Sequence, residues 1–272
     1  MKFAEKVKKR IDWEIERRKP NVETYAYWKK HFAYWTDTFT GKYEGEDAFL
    51  LCNGPSLNDI DTEHLRNYHI IGLNKIYLLT DKRNLDLTFQ VAVNRHVIEQ
   101  GFDRFRETPW PTFLSHHSTS RVFRDDFKSG RFSLPKNIHL LFAERTIPAF
   151  ATGLNDRFNE SYTVTYVALQ MAFYFGFQNV FILGMDHNFK AQGNTNELQK
   201  MENDDPNHFD PNYFKGMNWQ LPDLEGSELG YRMADFYFRR SGRAIYDATE
   251  KGKCRIFPRI SFDQALDQAK RK

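Results

Sequence analysis

The hexapeptide Cys52-Asn53-Gly54-Pro55-Ser56-Leu57 directly follows the apolar run 47–52 and presents an amide, a glycine, a proline and a hydroxyl in succession. Gly54 lets the backbone approach a ligand closely, and Pro55 stiffens the turn. Ser56 places a hydroxyl where the unpaired N–H groups of a following helix would favour a phosphate. The same residues would also serve as a plain strand–turn–helix junction with Asn53 as a cap. The loop is neither G-x-G-x-x-G nor a Walker loop, which weakens ordinary dinucleotide and ATP-loop binding. Two further apolar runs end in the same residue type, at Asn74 and Asn94. Three strands each ending in an amide put Asn53, Asn74 and Asn94 along one sheet edge. Each amide offers a donor and an acceptor, suited to reading ribose hydroxyls and a base edge without charge.

A second unit runs from Thr163 to Asp186: small and apolar residues at 163–175, a stop at Gly176, then an apolar run closing on Gly184-Met185-Asp186. Asp186 stands at a strand's carboxyl end, where a carboxylate could hold ribose hydroxyls or a metal, or simply cap the next segment. Residues 187–226 that follow are polar, rich in Asn, Asp and Gly, and without strong periodicity. Such a stretch inside a compact domain predicts a lid or binding loop. Asp186 and His187 with Asp204, Asp205, His208 and Asp210 are hard ligands that could hold Mg²⁺ with phosphates, although no defined metal motif or DxD triplet occurs. His116-His117, followed by Ser-Thr-Ser-Arg121, reads as a polar loop beyond a strand, able to help form an acceptor or phosphate site or to be solvated turn.

These residues need a scaffold, and the apolar runs predict one. Strands are expected at 47–52, 69–73, 87–93, 112–114, 138–142, 180–183, 244–246 and 254–257, with helices at 61–67, 96–105, 163–175 and 227–241. Strands alternating with helices predict an α/β fold with a mostly parallel, Rossmann-like sheet, in which ligands bind beyond the carboxyl ends of the strands. Residues 1–42 read as an N-terminal helical appendage and 43–272 as the nucleotide-binding domain, with its lid at 187–226. Within the appendage, Phe3, Val7, Ile11 and Ile15 recur at a spacing of four, Pro20 ends that helix, and Asn21 can cap a second one at 22–37. Val22, Tyr25, Trp28, Phe32, Trp35 and Phe39 form an aromatic face. That face is expected to pack on the main domain or a sister subunit, in a homo-oligomer. Alternatively, residues 1–39 make a peripheral membrane contact, since residues 1–20 carry eight Lys/Arg against four Asp/Glu.

Composition excludes other classes. With 25 Phe, 13 Tyr and 5 Trp in 272 residues, the chain is too aromatic to be disordered. Two cysteines, Cys52 and Cys254, make no disulfide scaffold and read as reduced thiols of a cytoplasmic protein. No apolar run approaches the roughly 20 residues that span a bilayer, and the N-terminal stretch lacks a signal-peptide core. A net charge of +3 gives no argument for nucleic acid.

The set formed by CNGPSL at 52–57, Asn74, Asn94 and the helix–Gly–strand–Gly-x-Asp block at 163–186 resembles the bacterial sialyltransferases of glycosyltransferase family forty-two. It is similar also to the wider MptE-like family, which includes Maf-type glycosyltransferases and 6-hydroxymethylpterin diphosphokinases. The run Ala244-Ile-Tyr-Asp-Ala-Thr-Glu-Lys-Gly, then Arg255-Ile-Phe-Pro-Arg259, resembles the MptE-like side more closely. The resemblance covers about residues 45–260 through short motifs. It implies a sialyltransferase-type variant of the Rossmann-like fold that binds a nucleotide sugar, typically CMP-linked, and transfers the sugar to a glycan or surface-polysaccharide acceptor without a metal. Carried over by position, Asn53, Gly54, Pro55 and Ser56 lie by the CMP phosphate and sugar, Asn74 and Asn94 touch ribose and donor, Thr163 begins the nucleotide-contacting helix, and Asp186 is on the ribose side. The MptE-like side implies instead a diphosphokinase that uses ATP and Mg²⁺ on a pterin alcohol. A non-catalytic nucleotide-binding protein is a third reading.

This chain departs from the sialyltransferase pattern. Val164 stands where a nucleotide-contacting serine is expected, Asn188 where a lid tyrosine is expected, and 220–228 holds no histidine. A near-neutral imidazole suits removal of a proton from an attacking sugar hydroxyl. His208 is the expected base, with Asp210 orienting it, and His187 beside Asp186 is the alternative. Tyr213 would donate to the leaving phosphate, and Lys190, Lys215 or Arg232 would neutralise its charge.

Overall fold

The computed structural model describes residues 22–144, 149–152, 157–190 and 193–272. The expected first helix at 2–19 lies outside the described residues. The chain enters through α1 (Val22–Phe32), a 3₁₀ turn (Ala33–Trp35) and α2 (Thr36–Phe39), then reaches β1 (Asp47–Leu51). β2 (His69–Leu73), α3 (Tyr77–Arg83), β3 (Phe89–Ala92), α4 (Arg95–Glu107), β4 (Thr112–Ser115), α5 (His116–Val122), α6 (Arg124–Ser129) and β5 (Ile138–Leu141) follow. After the short pair β6 (Ala143–Glu144) and β7 (Phe158–Asn159) come α7 (Val164–Phe175) and β8 (Asn179–Leu183). The hairpin β9 (Leu198–Lys200) and β10 (Asn218–Gln220), then α8 (Leu224–Arg240), β11 (Ala244–Asp247) and α9 (Phe262–Gln268) complete it.

Seven strands form one sheet in the order β11-β8-β1-β2-β3-β4-β5, and every pair in it is parallel. This is the α/β, Rossmann-like sheet expected from the alternation of apolar runs. The strands read as unbroken apolar runs because helices cover both faces, leaving no solvent side to demand alternation. β1 is buried along its whole length. The chain builds outward from β1 through β2 to β5 and then returns to lay β8 on the other side of β1, so the order reverses between β1 and β8. Ligands bind at such a reversal, beyond the carboxyl ends of the two strands.

α7 is buried on nearly every side and sets the depth of the cleft there. Thr163 Oγ1 caps it by accepting from Thr165 N, and Gly176 ends it with φ at +99°. A Cβ at Gly176 would lie 2.8 Å from Glu44 N, so a residue without a side chain is required where the helix meets the turn before β1.

One open expectation is resolved here and three are corrected. The aromatic face of 22–39 is internal: Trp28 and Trp35 are buried, and their indole N–H groups both donate to Leu140 O of edge strand β5, at 2.8 and 2.9 Å. Phe39 packs on Phe113 and Phe175. The segment thus packs on the main domain over a sheet edge and leaves Tyr27 and Tyr34 exposed. The expected strand 254–257 is irregular, because only Arg259 bridges to β11, through Asp247, and Pro258 has no N–H to extend the ladder. The expected polar loop at His116 is helix α5, capped by Ser115 Oγ, which accepts from Ser118 N. The helix at 61–67 is a 3₁₀ turn, Thr62–Leu65, held by Asp61.

Candidate functional site

The two strand ends at the reversal are stitched together. Gly54 N donates to Gly184 O at 2.9 Å, and Asp186 Oδ2 accepts from Ser56 Oγ at 2.7 Å and Ser56 N at 3.3 Å. Asp186 passes so close under the loop that a Cβ on Gly54 would sit 1.8 Å from Oδ2. Pro55 starts the 3₁₀ turn Pro55–Asp59 that carries Ser56. The C-terminal motif holds this arrangement from behind: Thr249 Oγ1 accepts from Met185 N at 3.0 Å, and Lys253 N donates to Asp186 O at 2.8 Å. Arg259 in turn donates to Gly252 O at 2.7 Å and Glu250 O at 2.9 Å.

Of the three strand-end amides, two are aimed at something the protein does not supply. Asn53 Nδ2 donates to Leu73 O at 3.2 Å, whereas Asn53 Oδ1 is buried without a partner. Asn74 sits in the left-handed region at φ +49°, and its Oδ1 is likewise buried and unpartnered. Buried acceptors are nearly always satisfied, so these two mark places for a donor from a ligand. Asn94 differs from expectation. Its Oδ1 caps α4 by accepting from His96 N at 2.8 Å, and its Nδ2 donates to Gln220 Oε1 at 3.0 Å on the lid hairpin. Both ends of that amide are already engaged.

Two adjoining cavities open over this edge, of about 730 and 810 Å³ measured out to their mouths. The deeper one is walled by Asn53, Gly54, Asp186 and His187, the outer one by Asn94, His96, Glu160, Trp219 and Asp223. Asn74, Thr163, Val164, Phe189 and His208 belong to both. The residues that begin α7 thus line the cleft, and a helix N-terminus is a ready anion site. No Lys or Arg lines either cavity among the described residues. The cations expected to neutralise a phosphate lie elsewhere: Lys215 pairs with Asp204 at 2.7 Å on the surface, Arg232 reaches Glu228 at 3.8 Å, and Lys190 is exposed outside the cavity walls.

The described residues 187–190 and 193–226 are folded down as a cover, whose own Phe209, Tyr213, Phe214 and Trp219 are buried. His208 Nδ1 donates to Asp205 Oδ2 at 2.8 Å, and its ring lies flat on Tyr213, 4.1 Å between centroids and 7° between planes. Its Nε2 makes no hydrogen bond among the described residues. The orienting carboxylate is thus Asp205, three residues before the histidine, and not Asp210. Asp210 is buried and turned away from the imidazole, pairing with Lys82 at 2.6 Å and capping Asn212 N. Burial works to raise its pKa, but the Lys82 ammonium and the Asn212 N–H hold it below the usual carboxylate range. Tyr213 also departs from its expected role. Its hydroxyl accepts from Lys75 N at 3.1 Å and its ring supports His208, so it does not face a leaving phosphate.

Lys75 and Glu228 were not singled out from the sequence. Lys75 is buried beneath the cover, donating from Nζ to Tyr213 O at 2.9 Å and Gln100 Oε1 at 2.8 Å, over the Phe214 ring. Burial lowers its pKa to about 8, against a small opposing pull from Asp205. Glu228 on α8 pairs with His187 Nε2 at 3.1 Å, and His187 holds a left-handed backbone at φ +51° on the cleft floor. Cys52 and Cys254 are buried, and burial pushes the Cys52 thiol up to about 12, so neither is a nucleophile.

Asp186, His187, Asp204, Asp205, His208 and Asp210 do not converge: among the described residues no three His, Cys, Asp or Glu are placed to hold one metal ion. The side chains present therefore do not fit a protein-held Mg²⁺ cage. Among the described residues, no helix is long and apolar enough to cross a membrane.

No family model and no curated protein matches the sequence. Among solved structures, the chain resembles a Maf glycosyltransferase from Magnetospirillum magneticum AMB-1, at a TM-score of 0.49 and 14% identity, over 88% of this chain and 38% of that one. It also resembles the sialyltransferase CstII from Campylobacter jejuni, solved with a substrate analogue, cytidine-5′-monophosphate, at a TM-score of 0.46 and 14% identity, over 80% and 86% of the two chains. The chain spans less than two-fifths of the Maf protein's length. Both likenesses are of fold.

Proposed function

We propose that the protein is a glycosyltransferase that binds a nucleotide-activated sugar in this cleft, CMP-linked in preference to a nucleoside diphosphate sugar, and passes the sugar to a glycan hydroxyl. The observation that carries the reading is the pair of buried, unpartnered carbonyl oxygens of Asn53 and Asn74 at the strand reversal, within a cleft whose wall holds the His208–Asp205 pair. Asn53 and Asn74 accept from the ribose hydroxyls or the base edge, and the α7 N-terminus receives the phosphate. A cleft lined by Asp186, Glu160 and Asp223 and, among the described residues, by no lysine or arginine suits one phosphate better than two or three. This is what favours a CMP donor over ATP.

In the reaction, His208 Nε2 takes the proton from the acceptor hydroxyl while Asp205 holds Nδ1–H and fixes the tautomer. The acceptor oxygen bonds to the anomeric carbon as that carbon's bond to the phosphate oxygen breaks. The departing phosphate keeps the electron pair and rests against the N–H groups of α7, and no metal is required.

Thermal-shift measurements with CMP, CDP, UDP, GDP and ATP, each with and without Mg²⁺, test the reading. Stabilisation by CMP without metal is expected. Stabilisation by ATP alone, and only with Mg²⁺, would overturn it in favour of a diphosphokinase acting on a pterin alcohol. Nucleotide binding with an unchanged biological activity in His208→Ala would make the protein a non-catalytic nucleotide binder.

A further inference from the structure

α8, the longest helix among the described residues, turns its N-terminal end to the cleft and another face to solvent. On that second face Leu229 and Phe236 are 49% and 54% exposed. They are seven residues apart, two helical turns, and therefore share one side. Arg232, Arg239 and Arg240 flank them, and Arg255 closes a shallow groove beside Phe236.

The charge of this face is only partly cancelled locally. The groove carries four arginines and one carboxylate, Asp235, while Glu225 and Glu228 lie on the same helix beside Leu229 and Arg232, which leaves a small positive excess centred on Arg240 and Arg255. Asp235 is buried under Arg239, its ion-pair partner. Arg232 reaches Glu228 only at 3.8 Å, and Arg255 donates to the backbone carbonyls of Gly252 and Cys254. Arg240 makes no hydrogen bond or ion pair among the described residues.

We infer that the outer face of α8 docks on an anionic lipid surface. Guanidinium groups match lipid phosphates in charge and in donor geometry. The two-turn Leu229–Phe236 stripe lies along the helix axis, where it enters the headgroup boundary while the arginines stay at the level of the phosphates. An acidic peptide or a nucleic acid would answer the arginines but would leave that stripe in water. The inference stands apart from the reaction assigned to the cleft. It is a separate surface from the expected contact through residues 1–39, of which 1–21 lie outside the described residues.

The test is flotation of the full chain with vesicles of phosphatidylcholine alone and of phosphatidylcholine mixed with phosphatidylglycerol. Binding to the anionic vesicles only, released by salt, is expected. Arg232→Gln with Arg240→Gln, and Phe236→Ser, should each reduce it, and together lower the bound fraction on the order of tenfold with unchanged circular dichroism and melting. A polarity-sensitive dye on Phe236→Cys adds a local readout, since Cys52 and Cys254 are buried and stay unlabelled. Its emission should shift to the blue on anionic vesicles. The inference fails if the chain ignores anionic vesicles, or if the dye does not respond. It fails also if the variants bind like the wild type, which would give the contact to the basic residues of 1–20. Equal binding to soluble polyglutamate, insensitive to Phe236→Ser, would make the partner an acidic protein and overturn it too.

Discussion

Asp186 occupies the space a side chain at position 54 would need: a Cβ on Gly54 would lie 1.8 Å from its Oδ2 and 2.6 Å from Gly184 O. The glycine lets the carboxylate reach under the loop to Ser56, which joins the ends of β1 and β8 into one cleft floor. Gly54→Ala must push Asp186 aside. We expect a loss of about 1–3 kcal/mol in urea unfolding, together with weakened nucleotide binding. Gly130→Ala is the control: φ there is +69° with open space around the added carbon, so it should cost only about 1–2 kcal/mol and leave binding intact. Equal binding in both variants would separate the close approach from the site.

The His208–Asp205 pair gives the sharpest kinetic expectation. His208→Ala should reduce transfer by about 10²–10⁴-fold while nucleotide still stabilises the protein. Asp205→Asn keeps the shape but removes the carboxylate that fixes the Nδ1–H tautomer, so kcat should fall by less and KM hold. Asp210→Asn should leave kcat unchanged, because that carboxylate faces Lys82 and not the imidazole. A large kcat loss in Asp210→Asn would return the orienting role to it.

The sheet was legible because its strands are buried on both faces and so appear as continuous apolar runs, all seven of which lie within two residues of their observed bounds. The loop 52–57, Asn74 and Asp186 were legible for a related reason: chemistry at a parallel sheet's edge sits just past the last apolar residue. The cover was not. Its contacts are made by residues distant in sequence, as when Lys75 after β2 reaches Tyr213, so no local spacing announces them. Asp205 was readable in principle, since a carboxylate three residues before a histidine reaches one ring nitrogen, but Asp210 lies nearer in sequence, two residues after it, and only the fold separates them. The aromatic face of 22–39 had the period of a helix whether it met a membrane or a sheet edge. Periodicity identifies a buried face without saying what buries it.

Lys75 should make the cover's stability depend on alkaline pH. Burial lowers its pKa from the ordinary 10.5 to about 8, so the folded chain releases the proton before the unfolded chain does. Between those values the unfolded state binds more protons, and stability should rise with pH. The contribution is fully present above 10.5 and lost as pH falls through about 8. Lys75→Met removes the titrating group, so the difference in urea midpoint between wild type and variant should narrow from pH 8 to pH 10. A difference independent of pH would refute the coupling.

His116 carries the opposite edge of the pH range. Both its ring nitrogens are buried without partners, and the ring sits among Phe32, Phe127 and Phe142, where α1 covers the sheet. Burial, aided by neighbouring His117, lowers its pKa from 6.5 to about 4. A folded-state value below the unfolded one gives stability that is present above 6.5 and lost as pH falls toward 4. His116→Phe fills the same space with an apolar ring and has nothing to protonate. It should be neutral to stabilising near pH 7 and should spare at most about 2 kcal/mol of acid loss by about pH 5. His139, also lowered to about 4 by burial, keeps part of the acid sensitivity in the single variant. Melting curves at the two pH values, for each single variant and for the double, read this directly. If the wild type and His116→Phe lose the same stability on acidification, the imidazole is already shielded by a partner the fold does not provide, and its burial is not what makes the covered edge acid-sensitive.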